Sequence, residues 1–273
     1  MKRLLNQQPS SFTRVILGLL PFIILIGVYV IASDIRLEAN PNDKLLPSIA
    51  QMSEAIQRMA FEPNRRTGEY IFWVDTFSSL QRLMLGVLLA ASLGLCIGLL
   101  TGALPLVGAS FSPIITVISL IPPLALLPIL FIVFGLGELA KVALITIGIL
   151  PFIAREMQRR TQEIPHEQII KAQTLGANTS QVLIRVLLPQ LTPRLLDAVR
   201  LSLGTGWLFL IAAEAIASTE GLGYRIFLVR RYMSMDVILP YVIWITFLAF
   251  LLDWVLMKLK DRLFPWQRQG GHS

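Results

Sequence analysis

The sequence has few of the residues from which catalytic and metal sites are usually built. It contains one cysteine, Cys96, and two histidines, His166 and His272, among 273 residues. One cysteine excludes an internal disulfide and a thiolate metal cluster. Two histidines in separate parts of the chain do not assemble a Ser-His-Asp triad or a zinc site. We therefore predict no catalytic residues, no bound cofactor and no metal site, and leave a membrane-embedded carboxylate enzyme as the one enzymatic alternative.

Charged residues are also scarce, whereas apolar residues are abundant. Asp, Glu, Lys and Arg make up 15% of the chain, against about 25% in a typical soluble domain. Hydrophobic residues make up 55%, and the mean hydropathy is +0.67. So much apolar surface does not fit inside one globular core, so its natural solvent is lipid. The net charge is +7, but Lys and Arg lie between apolar runs, as membrane topology requires, and we predict no nucleic-acid binding.

Six apolar stretches are long enough to be membrane spans, each of which needs about 20 helical residues. They lie at 15–32, 77–104, 113–134, 138–154, 195–217 and 237–257. The excess of Lys and Arg in the two tails and in the 155–194 loop predicts that these parts are cytoplasmic. The fold class is therefore an all-α integral membrane protein with about six transmembrane helices and both termini in the cytoplasm.

We divide the chain into three regions. Residues 1–70 hold the N-terminal tail, the first span and a polar periplasmic segment, and residues 71–264 hold five spans and the 155–194 loop. Residues 265–273 form a C-terminal tail. Within the polar segment, apolar residues recur at spacings of three and four from Ile49 to Ala60, which predicts a short amphipathic helix. It lies either along the membrane surface or against the protein itself.

Two local patterns concern how the spans pack. Gly94, Gly98 and Gly102 lie at four-residue intervals, and small residues on one face let helix backbones approach closely in lipid. Three prolines, Pro122, Pro123 and Pro128, interrupt the third span. Such breaks survive in lipid only where neighbouring helices or a cavity satisfy the freed carbonyls. The glycines predict a packed bundle, and the prolines indicate either a kink or part of a pathway.

The 155–194 loop has helical periodicity rather than a disordered composition. Gly176-Ala177-Asn178 is typical of a helix end, and a second helical stretch follows that we predict to end at Pro189. A helix that ends in glycine and is followed by another makes a compact helix–turn–helix elbow. On the cytoplasmic side, such an elbow is suited to insertion into a partner.

The elbow resembles the signature of binding-protein-dependent ABC importer permeases. That signature reads Glu-Ala-Ala, three residues, Gly, nine residues, Ile, one residue, Leu-Pro. The positions of this chain that match its spacing are Ala172, Gly176, Val186, Leu188 and Pro189. Ile170 and Lys171 stand where the signature has Glu and the first Ala. Glu167, one turn earlier, is a hypothetical substitute for the missing Glu.

Further short motifs, in the same order along the chain, are similar to those of the nitrate, sulfonate and taurine permease group. They include Ser79-Leu80-Gln81-Arg82, Ile121 to Pro128, Phe134-Gly135, Leu175-Gly176-Ala177, Ala213-Glu214 and Gly221-Leu222-Gly223. The resemblance extends from Leu45 to Trp266. A single one of these motifs is weak, but together and in this order they are specific.

The resemblance implies a type I ABC importer permease that works with other subunits. Two permease copies, expected to be identical, would form the path, two cytoplasmic ATPase subunits would grip the elbows, and a periplasmic solute-binding protein would deliver the cargo. The residues implied to contact the ATPase are Glu167, Ala172, Leu175, Gly176, Ala177, Leu188 and Pro189. Because the chain has no G-x-x-x-x-G-K-[ST] motif, ATP and Mg must be bound by the ATPase partner.

Ionisable residues inside the spans are the other candidates, because a charge in lipid is costly. Arg82, Arg200 and Glu214 are candidate pathway residues, with interhelical contacts as the alternative. Asp197 and Arg200 are three residues apart, so we predict that they pair on one helix face. Glu214 lies too far along the helix to pair with Arg200.

Gly221 and Gly223 predict a tight periplasmic turn on which the binding protein would dock.

The transport mechanism and the cargo are two questions that stay open at this point. A secondary transporter or an ion channel is the alternative function, although such transporters often have repeated halves and we find no internal repeat. We expect a small anion as cargo, of the nitrate, sulfonate, taurine or phosphonate type.

Overall fold

The computed structural model describes residues 10–40, 43–64 and 68–266, which form helices and the turns between them. Residues 1–9 of the predicted N-terminal tail and 267–273 of the C-terminal tail lie outside the described residues. The helices are α1 Ser11–Ala39, α2 Ile49–Phe61, α3 Ile71–Ala103, α4 Pro105–Ser119, α5 Leu127–Phe134, α6 Glu138–Gln162, α7 His166–Thr174, α8 Thr179–Gln181, α9 Leu188–Ala217, α10 Leu222–Arg230 and α11 Met235–Leu263.

Four helices of the described ranges are long and apolar enough to cross a membrane. They are α1, α3, the continuous helix Thr179–Ala217 and α11. The third predicted span is broken: α4 and the segment Pro123–Phe134 pass the same test only together, and they are bent by 83°. If that pair counts as one span, the number rises to five. The predicted span at 138–154 lies in α6, which does not pass because the apolar stretch between Lys141 and Arg155 is too short.

Helix α6 packs along α3, and the two helices run in the same direction. Gly86, Gly94, Gly98 and Gly102 of α3 lie against Ile145, Ile153, Met157 and Thr161 of α6, in the same order along both helices. This contact runs for about 24 Å, at 1.5 Å of rise per residue. Because parallel neighbours need a return segment, the broken α4–α5 segment crosses back from the end of α3 to the start of α6. The six predicted spans thus correspond to α1, α3, α4–α5, α6, α9 and α11.

The predicted close packing at the α3 glycines is confirmed, and it makes a test. A Cβ at Gly98 would lie 2.6 Å from the Ala154 carbonyl oxygen, whereas one at Gly204 would meet nothing within 4 Å. We expect Gly98→Ala to destabilise the purified protein by about 1–3 kcal/mol, since overpacking forces two backbones apart. Gly204→Ala is the matched control and should be neutral. Thermal unfolding in detergent measures both, and equal melting temperatures for the two variants would contradict this packing.

The amphipathic helix predicted at 49–60 is α2, and it packs on the protein rather than lying apart from it. A capping box between Ser48 and Gln51 begins the helix. Ala55 and Ala60 are buried in the core, and Trp73 of α3 donates a hydrogen bond to the Ala60 carbonyl at 3.1 Å. Helix α1, in contrast, has no buried residue in its most apolar window, so the side chains of that window are exposed.

The second helical stretch of the elbow does not end at Pro189, so that prediction is wrong. Helix α8 continues through a π-helical turn, Val182–Leu187, into α9. There the Leu188 N–H donates to the Leu183 carbonyl, five residues back. A π turn widens the helix by one residue, and Pro189 directly follows this turn, where the regular hydrogen-bond pattern is already interrupted. The elbow is therefore joined to a membrane helix without a break.

Candidate functional sites: an exposed elbow and a buried ion cluster

Short-range hydrogen bonds build the turn of the elbow. After α7, Gly176 has a φ of +86°, a conformation that glycine adopts without strain. The Ala177 N–H donates to the Ala172 carbonyl at 3.0 Å, and the Gly176 N–H donates to Gln173 at 2.9 Å. These two bonds form the Schellman motif that ends many helices. Asn178 then caps α8, with its side chain accepting from the Gln181 N–H at 2.8 Å.

The inner face of the elbow is fastened to the bundle by apolar contacts. Val182, Leu187 and Leu191 are buried and form a small separate cluster. The residues packed against this cluster are Leu95, Leu99 and Ala103 of α3 together with Ile164, Ile169, Ala172, Ala177 and Leu183. Two residues predicted to contact the ATPase, Ala172 and Ala177, thus lie on the attachment side. The elbow therefore rests directly on a membrane helix, α3.

The outer face of the elbow is exposed and partly apolar. Leu175, at its tip, has 88% of its surface exposed, and Ile170 has 48%. Glu167, Gly176 and Pro189 are exposed as well, and Leu188 is half-buried. A leucine exposed at a helix end, on a loop rich in charged and polar residues, is suited to an apolar pocket on a partner. The outer face therefore holds the residues available for docking.

At the other end of the bundle, Arg82 is the centre of a buried ion cluster. Only 3% of Arg82 is exposed. Its guanidinium donates to Glu138 at 2.9 Å, to Glu214 at 2.7 Å and to the Glu220 carbonyl at 2.9 Å. Glu138 also accepts from Lys141 at 2.7 Å. A buried charge needs such partners because its desolvation penalty is large.

Glu214 and Asp75 extend the cluster to the turn between α9 and α10. Both carboxylates are fully buried. Glu214 accepts from Ser79 at 2.8 Å and from the Gly223 N–H at 2.8 Å. Asp75 accepts from the Gly221 N–H at 2.8 Å and from Arg225 at 2.8 Å. The cluster thus joins α3, α6, α9 and α10 through charge-assisted hydrogen bonds, which are stronger than neutral ones.

Gly221 and Gly223 form the predicted tight turn. Both residues are buried. Gly221 has a φ of +124°, and a Cβ there would lie 2.5 Å from the Glu214 carboxylate carbon. The glycines are therefore needed so that the turn can approach Glu214. The turn folds inward onto two carboxylates, and docking of a binding protein on its exposed part, at Thr219, stays a prediction.

The predicted pairing of Asp197 with Arg200 is also wrong. Arg200 donates to both oxygens of Asp253, at 2.8 and 2.9 Å. Asp197 instead accepts from Lys260 at 2.6 Å. The antiparallel packing of α9 and α11 brings Asp253 and Lys260 against α9, so each charge takes its partner from the other helix. The expectation that Glu214 does not reach Arg200 is confirmed, since Glu214 pairs with Arg82.

All three candidate pathway residues therefore make interhelical ion pairs. Sequence reasoning missed Asp75, Glu138, Lys141 and Arg225 as members of the cluster. The spacing of Glu138 and Lys141 at the start of a span was one available signal, because charges there need partners. The partners themselves were not predictable, since Arg82 lies 56 residues from Glu138 and 132 from Glu214.

Comparison with known proteins agrees with this architecture. The family model described as "Binding-protein-dependent transport system inner membrane component" matches residues 94–269. The taurine transport system permease protein TauC of Escherichia coli (strain K12) is 38% identical over 194 residues, which cover 71% of this chain and 70% of that protein. The nitrate import permease protein NrtB of Leptolyngbya laminosa is 28% identical over 199 residues, 73% of this chain and 71% of that protein.

A solved structure has the same fold. A chain of the MetNI methionine ABC transporter, in an inward-facing conformation, has a TM-score of 0.63 at 21% identity. The match covers 73% of this chain and 99% of that one. With the helical bundle, the elbow joined to α9 and the matching family model, these findings show that the chain belongs to the binding-protein-dependent inner membrane components, the permease subunits of ABC importers with the type I fold.

Proposed function

We propose that this permease carries a small anion of the nitrate, sulfonate, taurine or phosphonate type, and that ATP hydrolysis in partner subunits drives alternating access. The exposed outer face of the elbow carries the coupling part of this proposal. Leu175 is 88% exposed, while the inner face of the same elbow is packed on α3. A partner that binds Leu175 and displaces the elbow therefore moves α3 and α9 together.

The subunit arrangement is part of the same proposal. Two identical copies of the chain enclose the path, two ATPase subunits bind ATP and Mg in the cytoplasm, and a solute-binding protein docks outside. The elbow and both termini lie on the cytoplasmic side, as the distribution of Lys and Arg predicts. The parallel packing of α3 and α6 supports this topology, because the broken segment between them provides the extra crossing.

The cargo class rests on the relatives and on charge. The two relatives described above are named for the transport of taurine and of nitrate. Taurine carries a sulfonate group, and nitrate is itself an oxyanion. In this chain Asp253 of α11 and Asp197 of α9 are paired with Arg200 and Lys260, so these two carboxylates do not repel an anion.

Reconstitution tests the proposal. The chain is purified with its cognate ATPase and placed in liposomes with ATP inside and the binding protein outside. We expect labelled nitrate, taurine or an alkanesulfonate to accumulate with ATP, and not with a non-hydrolysable ATP analogue. Uptake driven by an ion gradient in liposomes that hold the chain alone would instead establish the secondary transporter.

A further inference from the structure

A cavity of about 780 Å³ lies beside the break in the third span. Its walls come from α4, the 3-10 turn Pro123–Leu126, α6 and α9. Ser119, Leu120 and Ile121, at the break itself, line it. Irregular backbone at membrane depth is tolerated where it borders a cavity, and broken helices supply the binding sites of many transporters. The break is therefore part of a cavity wall rather than a simple kink.

The cavity wall combines apolar residues with a band of polar ones. The polar lining residues are Thr116, Ser119, Arg155, Glu156, Gln158, Arg159, Gln162 and Thr205. Arg155 donates one hydrogen bond to the Ser119 Oγ at 3.0 Å, which holds the guanidinium beside the break. A pocket in which polar groups converge between apolar walls is the usual form of a small-molecule site.

Arg155 differs from Arg159 and Arg160, its neighbours on α6, because no carboxylate of the described ranges pairs with it. Glu156 accepts from Arg159 at 2.9 Å and from Arg160 at 2.8 Å. Glu163 accepts from Arg160 at 2.9 Å. Three guanidiniums thus face two carboxylates, and the unmatched charge is that of Arg155. Arg155 is exposed, and a cation without a carboxylate partner at the wall of a cleft attracts anions.

We propose that Arg155, with the hydroxyls of Ser119 and Thr205, forms an oxyanion subsite of the transport path. The planar guanidinium binds two oxygens of a sulfonate or nitrate group side by side, and the Thr205 hydroxyl donates to the remaining oxygen. Ser119, whose hydroxyl donates to the Thr116 carbonyl, accepts from Arg155 and positions the guanidinium. This subsite deepens the proposed function and rests on it. Arg82 and Arg200 do not serve this purpose, since carboxylates already occupy their guanidiniums.

A lipid phosphate has similar chemistry and is the competing occupant. We assign the site to the cargo because its side chains come from three helices, α4, α6 and α9, around one cavity, whereas one arginine at a helix end suffices for a headgroup. Liposomes made only of phosphatidylcholine, and others that contain phosphatidylglycerol, separate the two occupants. Only a lipid site makes the effect of an Arg155 substitution depend on the anionic lipid.

The test compares Arg155→Gln with Arg155→Lys in the reconstituted importer. Arg160→Gln is the matched control, because Arg160 pairs with carboxylates and lies outside the cavity lining. Initial uptake of labelled taurine, an alkanesulfonate and nitrate is measured over a range of concentrations. We expect Arg155→Gln to lower uptake at limiting concentration by about tenfold or more, since a charge-assisted contact is lost. Arg155→Lys should restore most of it, and Arg160→Gln should resemble the wild type.

Three results overturn the subsite. One is wild-type uptake by Arg155→Gln. Another is an equal loss in Arg155→Gln and Arg155→Lys with reduced assembly, which identifies a structural role. The third is a loss confined to liposomes with phosphatidylglycerol. If the proposed function itself fails, the wild-type chain does not retain the ATPase subunit, or it transports without ATP. Both results are seen in the wild type and are therefore distinct from the three above.

Discussion

Replacing Arg82 with methionine is expected to lower the stability of the protein and its yield in folded form sharply. Arg82 is 3% exposed, and the Glu214 carboxylate that it contacts is fully buried. Removing one partner of a buried ion pair costs about 3–5 kcal/mol, because the other charge is left without compensation. Since folded proteins are stable by only about 5–15 kcal/mol, the loss is a large part of the total. Size-exclusion chromatography of a fluorescent fusion in detergent, followed by thermal unfolding, measures it.

Two controls make this result specific to the buried cluster. Arg159→Met removes an arginine whose side chain is 59% exposed, and exposed pairs contribute only about 0–1 kcal/mol. The double variant Arg82→Met with Glu214→Gln removes both charges and should recover part of the lost stability. A melting temperature for Arg82→Met equal to that of the wild type would show that the cluster does not stabilise the bundle.

The cluster also explains how the connection between α9 and α10 is held. Arg82 donates to the Glu220 carbonyl, and the N–H groups of Gly221 and Gly223 donate to buried carboxylates. Main-chain and ionic contacts thus fix the same turn from two sides. The four helices that meet at this end of the bundle are therefore linked through one set of contacts.

Replacing Leu175 with glutamate is expected to prevent docking of the ATPase subunit while leaving the fold intact. Because Leu175 is 88% exposed, it contributes little to the packing of this chain. An anchor residue at the centre of an interface contributes at least about 2 kcal/mol, so binding should weaken by more than about 30-fold. Titration of purified ATPase subunit onto the permease in nanodiscs measures the affinity.

Leu175→Met is the matched control for this variant, because it keeps the apolar surface and nearly the same volume. It should bind the ATPase about as well as the wild type. Thermal unfolding of all three proteins shows whether the fold is retained. If Leu175→Glu binds as tightly as the wild type, the tip of the elbow is not the docking contact, and the outer face of α7 would have to be tested next.

Local features of the sequence determined the helices and the elbow. The preference of an apolar run for lipid does not depend on any distant residue. Five of the six predicted spans therefore fall on single helices, and the third falls on the broken pair α4 and α5. The turn at Gly176 was also predictable, because a positive φ and a capping Asn178 act within a few residues. The family signature was readable for the same reason.

Only the tertiary structure decided which charges meet and which surfaces are covered. Arg82 and Arg200 each had several possible partners, and helix packing selected Glu214 and Asp253 over nearer residues. It also buried Gly221, and it left Arg155 as the unmatched cation at a cavity. Ion pairing depends on distances between residues far apart in the chain, and hydropathy and periodicity carry no information about those distances.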